Sequence, residues 1–412
     1  MSFKSLYKLY VMNNISAFND IYREKINSSS TIKFDILINN YQSFFTYDVE
    51  IMKLVSKIRD IDATVSRLFS KLPALAVAQY MRKSLIDEIA YTNEIEGVVS
   101  TRKDINDLIN EIEKKIKTKN RFEGIVNKYL MLTKEKLNLV EATTIREIYD
   151  EMLYNEIKQE DKNNLPDGKI FRKEEVHILR TTNKIIHNGI MPEDKIIEYM
   201  NKTLDILNDS SIDILIRVSL VHYYFGFIHP FYDGNGRINR FISSYVLSKN
   251  LNEIVGFRLS MTIKENLTQY LDAFVHTNDI RNRADVSTFV YEFLDIVYKS
   301  YLKTELYALE KTQEYNKYLG ILEKIDNIFI EYKNQTDIKE LLNILIQASI
   351  FGDFGITKAE MCQLLNKGNT KITEFLTILK SKDLIVENRS GKYRYYQVDL
   401  EKLNIYNKDK VY

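Results

Sequence analysis

Apolar positions recur at helical spacing through most of this chain. Ile212, Leu215, Ile216, Leu220, Tyr223 and Tyr224, together with Ser219, fall on one side of a 3.6-residue period that stops short of Pro230. Proline biases the residue before it toward extended backbone, so His229 is expected on a turn rather than inside a helix. The helical period resumes from Gly236, with Ile238, Phe241, Ile242, Tyr245 and Val246 on one face and Arg237 and Arg240 on another. Upstream, residues 74–96 contain no proline or glycine and carry Leu75, Ala78, Met81, Leu85, Ile86 and Ile89 on a helical face; Gly97 follows, where a helix C-cap would fall. Within Lys169 to Met191, the β-prone runs Val176-His-Ile-Leu and Lys184-Ile-Ile-His flank Thr181-Thr-Asn183, which predicts a hairpin. Near the C-terminus, residues 356–365 and 370–379 read as two short amphipathic helices joined around Gly368-Asn369. Leu384-Ile-Val386 and Tyr393 to Val398, about Asn388-Arg-Ser-Gly391, then read as a second hairpin. With four prolines and thirteen glycines to interrupt it, the chain is expected to be mainly α.

The turn between two of these helices gathers unusual chemistry. His229-Pro-Phe231-Tyr-Asp233-Gly234-Asn235-Gly236-Arg237-Ile-Asn-Arg240 puts a base, a carboxylate, two glycines and two arginines in one stretch. Histidine ordinarily titrates near neutral pH, so His229 can take a proton from a hydroxyl. Asp233 offers hard oxygen suited to Mg2+ or Mn2+, with waters and ligand phosphates completing the shell. Gly234 and Gly236 reach backbone angles closed to other residues, and Asn235 tolerates the left-handed region, so successive amides can converge on an anion. Arg237 and Arg240 stand in the first turns of the following helix. There, unpaired N–H groups and the positive dipole end favour phosphate, and guanidinium forks match its oxygens. Cations at that end oppose the dipole, so an anion is expected. The reverse holds for Glu94 and Glu96 in the last turn of the earlier helix, each disfavoured there by about 0.3–1 kcal/mol and therefore in need of a cationic partner.

Composition narrows the setting. At 412 residues, 45% hydrophobic and 28% charged, the chain can bury more than one core. Its 58 basic and 57 acidic residues leave a net charge of +1, which provides no global attraction to nucleic acid. A single cysteine, Cys362, excludes an internal disulfide framework and a cysteine-based zinc site, in keeping with a reducing cytoplasm. Lysines break the N-terminus (Met1-Ser-Phe-Lys-Ser-Leu-Tyr-Lys) before a signal-peptide core forms, and no uncharged apolar run approaches the roughly 18 residues of a membrane span. A cytoplasmic location without membrane contact is the expectation.

The stretch from His229 to Arg240 fills every fixed position of His-x-Phe-x-[Asp/Glu]-Gly-Asn-Gly-Arg-x-x-Arg and so resembles the signature of the Fic family. Members mostly transfer AMP from ATP to a hydroxyl side chain of a target protein. The resemblance implies that His229 deprotonates the target hydroxyl, Asp233 holds the divalent metal, and Gly234, Asn235 and Gly236 cradle the α- and β-phosphates. Arg237 would steady the departing pyrophosphate, Arg240 would contact the γ-phosphate, and Phe231 would pack inward to anchor the loop. Thr92, Glu96 and Gly97 also satisfy the family's inhibitory pattern [Ser/Thr]-x-x-x-Glu-[Gly/Asn]. In the subgroup this resembles, Glu96 would pair with Arg240 and occupy the γ-phosphate's place.

The same resemblance suggests an organisation. Residues 1–114 would form an N-terminal helical region with the inhibitory helix at about 74–97, and 115–300 a Fic-type helical core with a β-hairpin flap at about 169–191. Residues 301–345 would be a helical connector and 346–412 a winged-helix-like domain. A target protein would dock on the flap by β-augmentation, a homodimer through the core is common in such proteins, and the winged helix would bind DNA or protein, with Lys371 and Lys380 partly exposed on its second helix. Self-modification and removal of AMP are related activities. A nucleotide-sensing regulator, or transfer from another donor such as UTP, CDP-choline or ATP bound in reverse, are the alternatives.

Overall fold

The computed structural model describes residues 3–12, 15–179, 185–325, 328–390 and 393–408. Helices dominate, and the sheets among the described residues are small and antiparallel. The chain falls into two compact units, Met1–Ala63 with Asp87–Leu302, and Thr64–Ile86 with Lys303–Tyr412. No described helix is long and apolar enough to cross a membrane.

In the first unit the helix Ile214–Ile228 is buried around almost its whole circumference, as its nearly uninterrupted apolar sequence requires. It packs against Glu193–Asn208 and Asn235–Asn250. Tyr223, Phe274 and Phe289 form an aromatic cluster, with ring centroids 4.5 Å apart for Phe274 and Phe289 and 5.3 Å for Tyr223 and Phe289. His222 sits among these rings with both nitrogens satisfied, by Ser243 Oγ at 2.7 Å and Tyr270 Oη at 2.8 Å. Burial holds its pKa far below the ordinary value, so it is a neutral core residue.

The N-terminal region is not helical throughout, contrary to the expectation for residues 1–114. Thr31–Ile38 and Tyr41–Thr46 form a hairpin, registered Thr31↔Thr46 to Ile38↔Tyr41 with an irregularity between Lys33 and Leu37. The physical signal was present: Phe34, Ile36 and Ile38 alternate inward, and Asn39-Asn40 both adopt left-handed backbone (φ 50° and 68°), as a tight two-residue hairpin loop requires. The hairpin is tied into the first unit by Phe44, whose main chain bonds Ala284 and Val286 at 3.1 and 3.0 Å, and by Ser43 Oγ, 2.8 Å from Tyr224 Oη.

The expected pair of strands within 169–191 is present as His177–Leu179 and Ile185–Asn188, paired His177↔Asn188 and Ile178↔His187; the turn at Thr181-Thr-Asn183 lies outside the described residues. In the second unit Gln335–Phe351 packs on a three-stranded sheet ordered Ile356–Thr357, Tyr393–Val398, Ile385–Ser390. The helices Lys358–Leu365 and Asn369–Ser381 lie between the first and second of these strands in sequence. Thr357 and Glu360 close a reciprocal capping box on the first helix, and Asn366 ends it in the left-handed conformation. Gly391, part of the expected second turn, lies outside the described residues.

Candidate active site

His229 ends the helix Ile214–Ile228. Pro230 suggested extended backbone there, but His229 is left-handed (φ 52°, ψ 64°), because it closes the helix: its N–H donates to the Phe225 carbonyl at 2.9 Å. Its own carbonyl accepts from Arg172 Nε at 2.9 Å. Burial pushes its imidazole down to about 4, against the opposing pull of the Glu96 carboxylate, so the ring is neutral over the physiological range.

The loop after His229 is closed from inside. Phe231 is fully buried, stacked 4.1 Å from Tyr149 and edge-on to Phe171 at 5.4 Å. The side-chain amide of Asn235 spans the loop, accepting from the Phe231 N–H at 2.9 Å and donating to its carbonyl at 2.7 Å. Asn235 thus shapes the cradle with its side chain and leaves only its main-chain N–H for a ligand. Of the two glycines, Gly234 alone needs a left-handed backbone (φ 82°). Gly236 lies in the helix Asn235–Asn250, and what it needs is space, since a Cβ there would collide with Glu96 Oε1. No side chain caps the start of that helix, so its first N–H groups keep their capacity for an anion.

The two arginines that shared a helix face in sequence go to different carboxylates. Arg237 is fully buried and donates from Nη1 to Glu156 Oε1 at 2.5 Å. Its Nε and Nη2 have no hydrogen-bond partner, and Nη2 lies 3.7 Å from Asp233 Oδ1. Burial raises the Glu156 carboxyl, with Arg237 opposing that shift. Arg240, equally buried, donates from Nε to Thr92 Oγ1 at 2.8 Å and from Nη2 to the Thr92 carbonyl at 2.9 Å and Glu96 Oε1 at 2.8 Å. Burial alone would push the Glu96 carboxyl up, but Arg240, supported by Arg237 and His229, outweighs it and holds the carboxyl below its ordinary range.

Glu96 arrives from the helix Ala74–Ile95, whose end is turned by Gly97 at φ 76°. The other acid of that turn, Glu94, pairs with Lys264 Nζ at 3.1 Å. Each carboxylate placed against the dipole has therefore found its cation. Asp233 is about one-third exposed and is the only carboxylate of its loop; no cluster of three or more metal-ligating side chains occurs among the described residues. One of its oxygens receives the Gly234 N–H. A lone, accessible hard-oxygen ligand beside an open helix start fits a divalent cation that takes its remaining ligands from phosphate and water.

Three residues at the site had no signal in the sequence: Glu156, which holds Arg237; Arg172, which holds His229; and Glu88. Glu88 is fully buried and accepts from Ser260 N–H at 2.8 Å, Ser260 Oγ at 2.5 Å and Ser244 Oγ at 3.3 Å; burial pushes its carboxyl up to about 7. His177 is exposed beside Asn188 Oδ1, and His187, near enough to oppose charge on the His229 ring, stacks on Phe227 and bonds its carbonyl at 2.7 Å.

Residues 139–247 match the model of the Fic/DOC family. Proteins with this domain are generally transferases and commonly move a nucleotide monophosphate onto proteins. The chain is similar to a solved Fic family protein from Desulfovibrio desulfuricans, at 19% identity over 87% of this chain and 98% of that one, with a TM-score of 0.51, a likeness of fold. Weaker matches include a Fic-1 fragment from C. elegans (18% identity, 63% and 74% covered, TM-score 0.42) and a Fic domain containing signaling protein from Bacteroides thetaiotaomicron (17%, 63% and 96%, 0.43). No curated protein matches the chain.

Proposed function

We propose that the protein is a cytoplasmic protein adenylyltransferase that uses ATP, held inactive by Glu96. The observation that carries this reading is the Arg240–Glu96 pair beside an uncapped helix start and an Arg237 guanidinium with two unpartnered nitrogens. Such a site has spare donors at one arginine and an internal anion at the other.

The main-chain amides from Asn235 onward receive the α- and β-phosphates, Arg237 takes a leaving-group oxygen through its free Nη2, and Arg240 takes the γ-phosphate once Glu96 withdraws. His229, neutral at working pH, accepts the proton of a target hydroxyl. The hydroxyl oxygen bonds to the α-phosphorus as the bond from that phosphorus to the α,β-bridging oxygen breaks, and pyrophosphate departs. Asp233 would hold Mg2+ or Mn2+, whose charge neutralises the leaving phosphates. The hairpin His177–Leu179 with Ile185–Asn188 serves as the flap on which an extended target segment adds a strand.

The C-terminal order of strand, two helices and hairpin supports a winged helix. Lys371 and Lys380 of its second helix are already engaged by Glu374 at 2.8 Å and Glu387 at 3.7 Å, which favours protein contact over a DNA duplex. Incubating wild type, Glu96→Gly and His229→Ala with Mg2+ and either α-labelled or γ-labelled ATP tests the proposal. Label entering protein from the α-position only, increased by Glu96→Gly and abolished by His229→Ala, is expected; γ-label would indicate phosphate transfer, and no label from either position would indicate a nucleotide sensor.

A further inference from the structure

The Arg172 guanidinium is as fully buried as those of Arg237 and Arg240, yet its hydrogen bonds run to main-chain carbonyls and one thioether rather than to a carboxylate. Nε donates to the His229 carbonyl at 2.9 Å, Nη1 to the Glu174 carbonyl at 2.7 Å and Met191 Sδ at 3.1 Å, and Nη2 to the Ile190 carbonyl at 2.9 Å and the Ile228 carbonyl at 3.5 Å. The Arg172 main-chain N–H reaches the Pro230 carbonyl at 3.3 Å. A buried cation without a counter-ion persists only where its fixed fork of donors is satisfied, and here all three nitrogens are engaged.

The acceptors belong to two places that matter for chemistry. Ile228, His229 and Pro230 form the turn that presents the imidazole; Ile190 and Met191 lead out of the hairpin's second strand. The same two segments are joined by the Ile190 N–H on the Ile228 carbonyl at 3.1 Å and by His187 Nε2 with the Phe227 carbonyl at 2.7 Å. Gly189 makes room for the arrangement, since a Cβ there would collide with Arg172 Nη2. The left-handed backbone of His229 is disfavoured for a residue with a side chain, so something outside the residue must hold it.

We propose that Arg172 is a positioning residue: it fixes the left-handed main chain from which the His229 imidazole projects and ties the base of the hairpin to that turn, so that proton acceptor and target-docking edge share one anchor. The kinetic part rests on the adenylyltransferase reading; the positional part does not. The charged and titratable groups that act electrostatically on the His229 ring include Glu96, Arg172 and His187.

The full-length Glu96→Gly protein carries the test, alone and with Arg172→Lys, Arg172→Gln or Gly189→Ala. Calorimetry reads MgATP affinity, single-turnover transfer of α-labelled AMP onto the protein's own hydroxyls reads chemistry, and NMR of labelled histidines reads the His229 ring titration without turnover. MgATP affinity is expected to stay within about twofold, because the phosphate-binding groups are untouched. Transfer should fall about 100-fold in Arg172→Gln, about tenfold in Arg172→Lys and between these in Gly189→Ala, the scale set by a misplaced reacting group. The ring titration should rise from its depressed value in the Glu96→Gly parent toward the ordinary value near 6.5 as the loosened turn admits water.

Parallel losses of affinity and rate would show a merely structural arginine and overturn the proposal. Should Arg172→Gln fail to fold, Arg172→Lys and Gly189→Ala decide the matter, and an unmoved titration and rate in both would overturn it. If the Glu96→Gly parent itself transfers no AMP, the adenylyltransferase reading fails, while the ring titration in Arg172→Lys and Gly189→Ala, which keep the positive charge that itself lowers the ring, still decides whether Arg172 positions the imidazole.

Discussion

Replacing Glu96 with alanine should destabilise the ligand-free protein and yet make it a better receptor for ATP. Removing one partner of a buried ion pair costs about 3–5 kcal/mol when the other is left uncompensated. Here the loss is smaller, since the Glu96 side chain is 26% exposed and Arg240 keeps its bonds to Thr92 Oγ1 and the Thr92 carbonyl. About 1–3 kcal/mol is expected, close to the net worth of a hydrogen bond to a charged group. MgATP at 100 times its Kd stabilises any chain that binds it by about 2.7 kcal/mol. At equal nucleotide concentration Glu96→Ala should gain more than wild type, because wild type must first give up its own pair. The pH dependence follows from the lowered Glu96 carboxyl: its contribution is complete above the unfolded value near 4.3 and is lost as pH falls through the folded value. The difference in melting temperature between the two proteins should therefore be flat from pH 8 to 5 and shrink only below about 4. Thermal melts with and without MgATP, across that pH range, measure all of this. Identical nucleotide-induced shifts in the two proteins at every concentration would refute the claim that Glu96 and the γ-phosphate compete for Arg240.

His229→Ala should abolish AMP transfer while leaving the MgATP-induced rise in melting temperature intact. In the Glu96→Gly protein, which lacks the carboxylate that pulls the ring upward, the acidic limb of kcat/KM should fall no higher than about 4, where the neutral imidazole acquires its proton; a limb between 6 and 7 would contradict the buried ring. Glu88, raised to about 7, binds its proton in the folded chain before the unfolded one does, so wild-type stability should decline as pH rises from about 4.3 through 7. Glu88→Gln should remove that slope, a difference of at most about 4 kcal/mol at pH 8 by denaturant titration. Glu156→Gln leaves the wholly buried Arg237 without its counter-charge and should cost about 3–5 kcal/mol, measured the same way, with MgATP restoring part of it.

What could be read from sequence was what depends on neighbours along the chain. The helices flanking His229, the break at Gly97 and the paired strands His177–Leu179 and Ile185–Asn188 all follow from periodicity and punctuation. So does the expectation that Arg237 and Arg240, placed against the dipole, would need anions. Which anions they take was legible only in part. Glu96 carried a motif, whereas Glu156, 81 positions before Arg237, is one acid among many in a helical stretch. Arg172 is similarly invisible, because its partners are carbonyls, which every residue carries. Two local inferences failed for a common reason. Proline's bias at His229 lost to helix closure, and the glycine at 236 answers to the Glu96 side chain from a distant helix rather than to its own backbone angles.

The different surroundings of the two arginine partners explain how, under the proposed function, one site could be both inhibited and ready. Glu156 is completely buried beside Arg237, so this pair is the harder of the two to exchange, and Arg237 offers its spare nitrogens instead. Glu96 is partly open to solvent at the end of a helix, and the pair it makes leaves the Thr92 contacts of Arg240 undisturbed when it breaks. The guanidinium therefore stays in place as its anion is exchanged. A phosphate arriving there meets a cation already desolvated and aligned, so its gain is set against a partial ion pair rather than against the reordering of the site. On the proposed reading, inhibition by Glu96 would act on which anion occupies Arg240, and would leave the geometry of the cradle and of His229 already built.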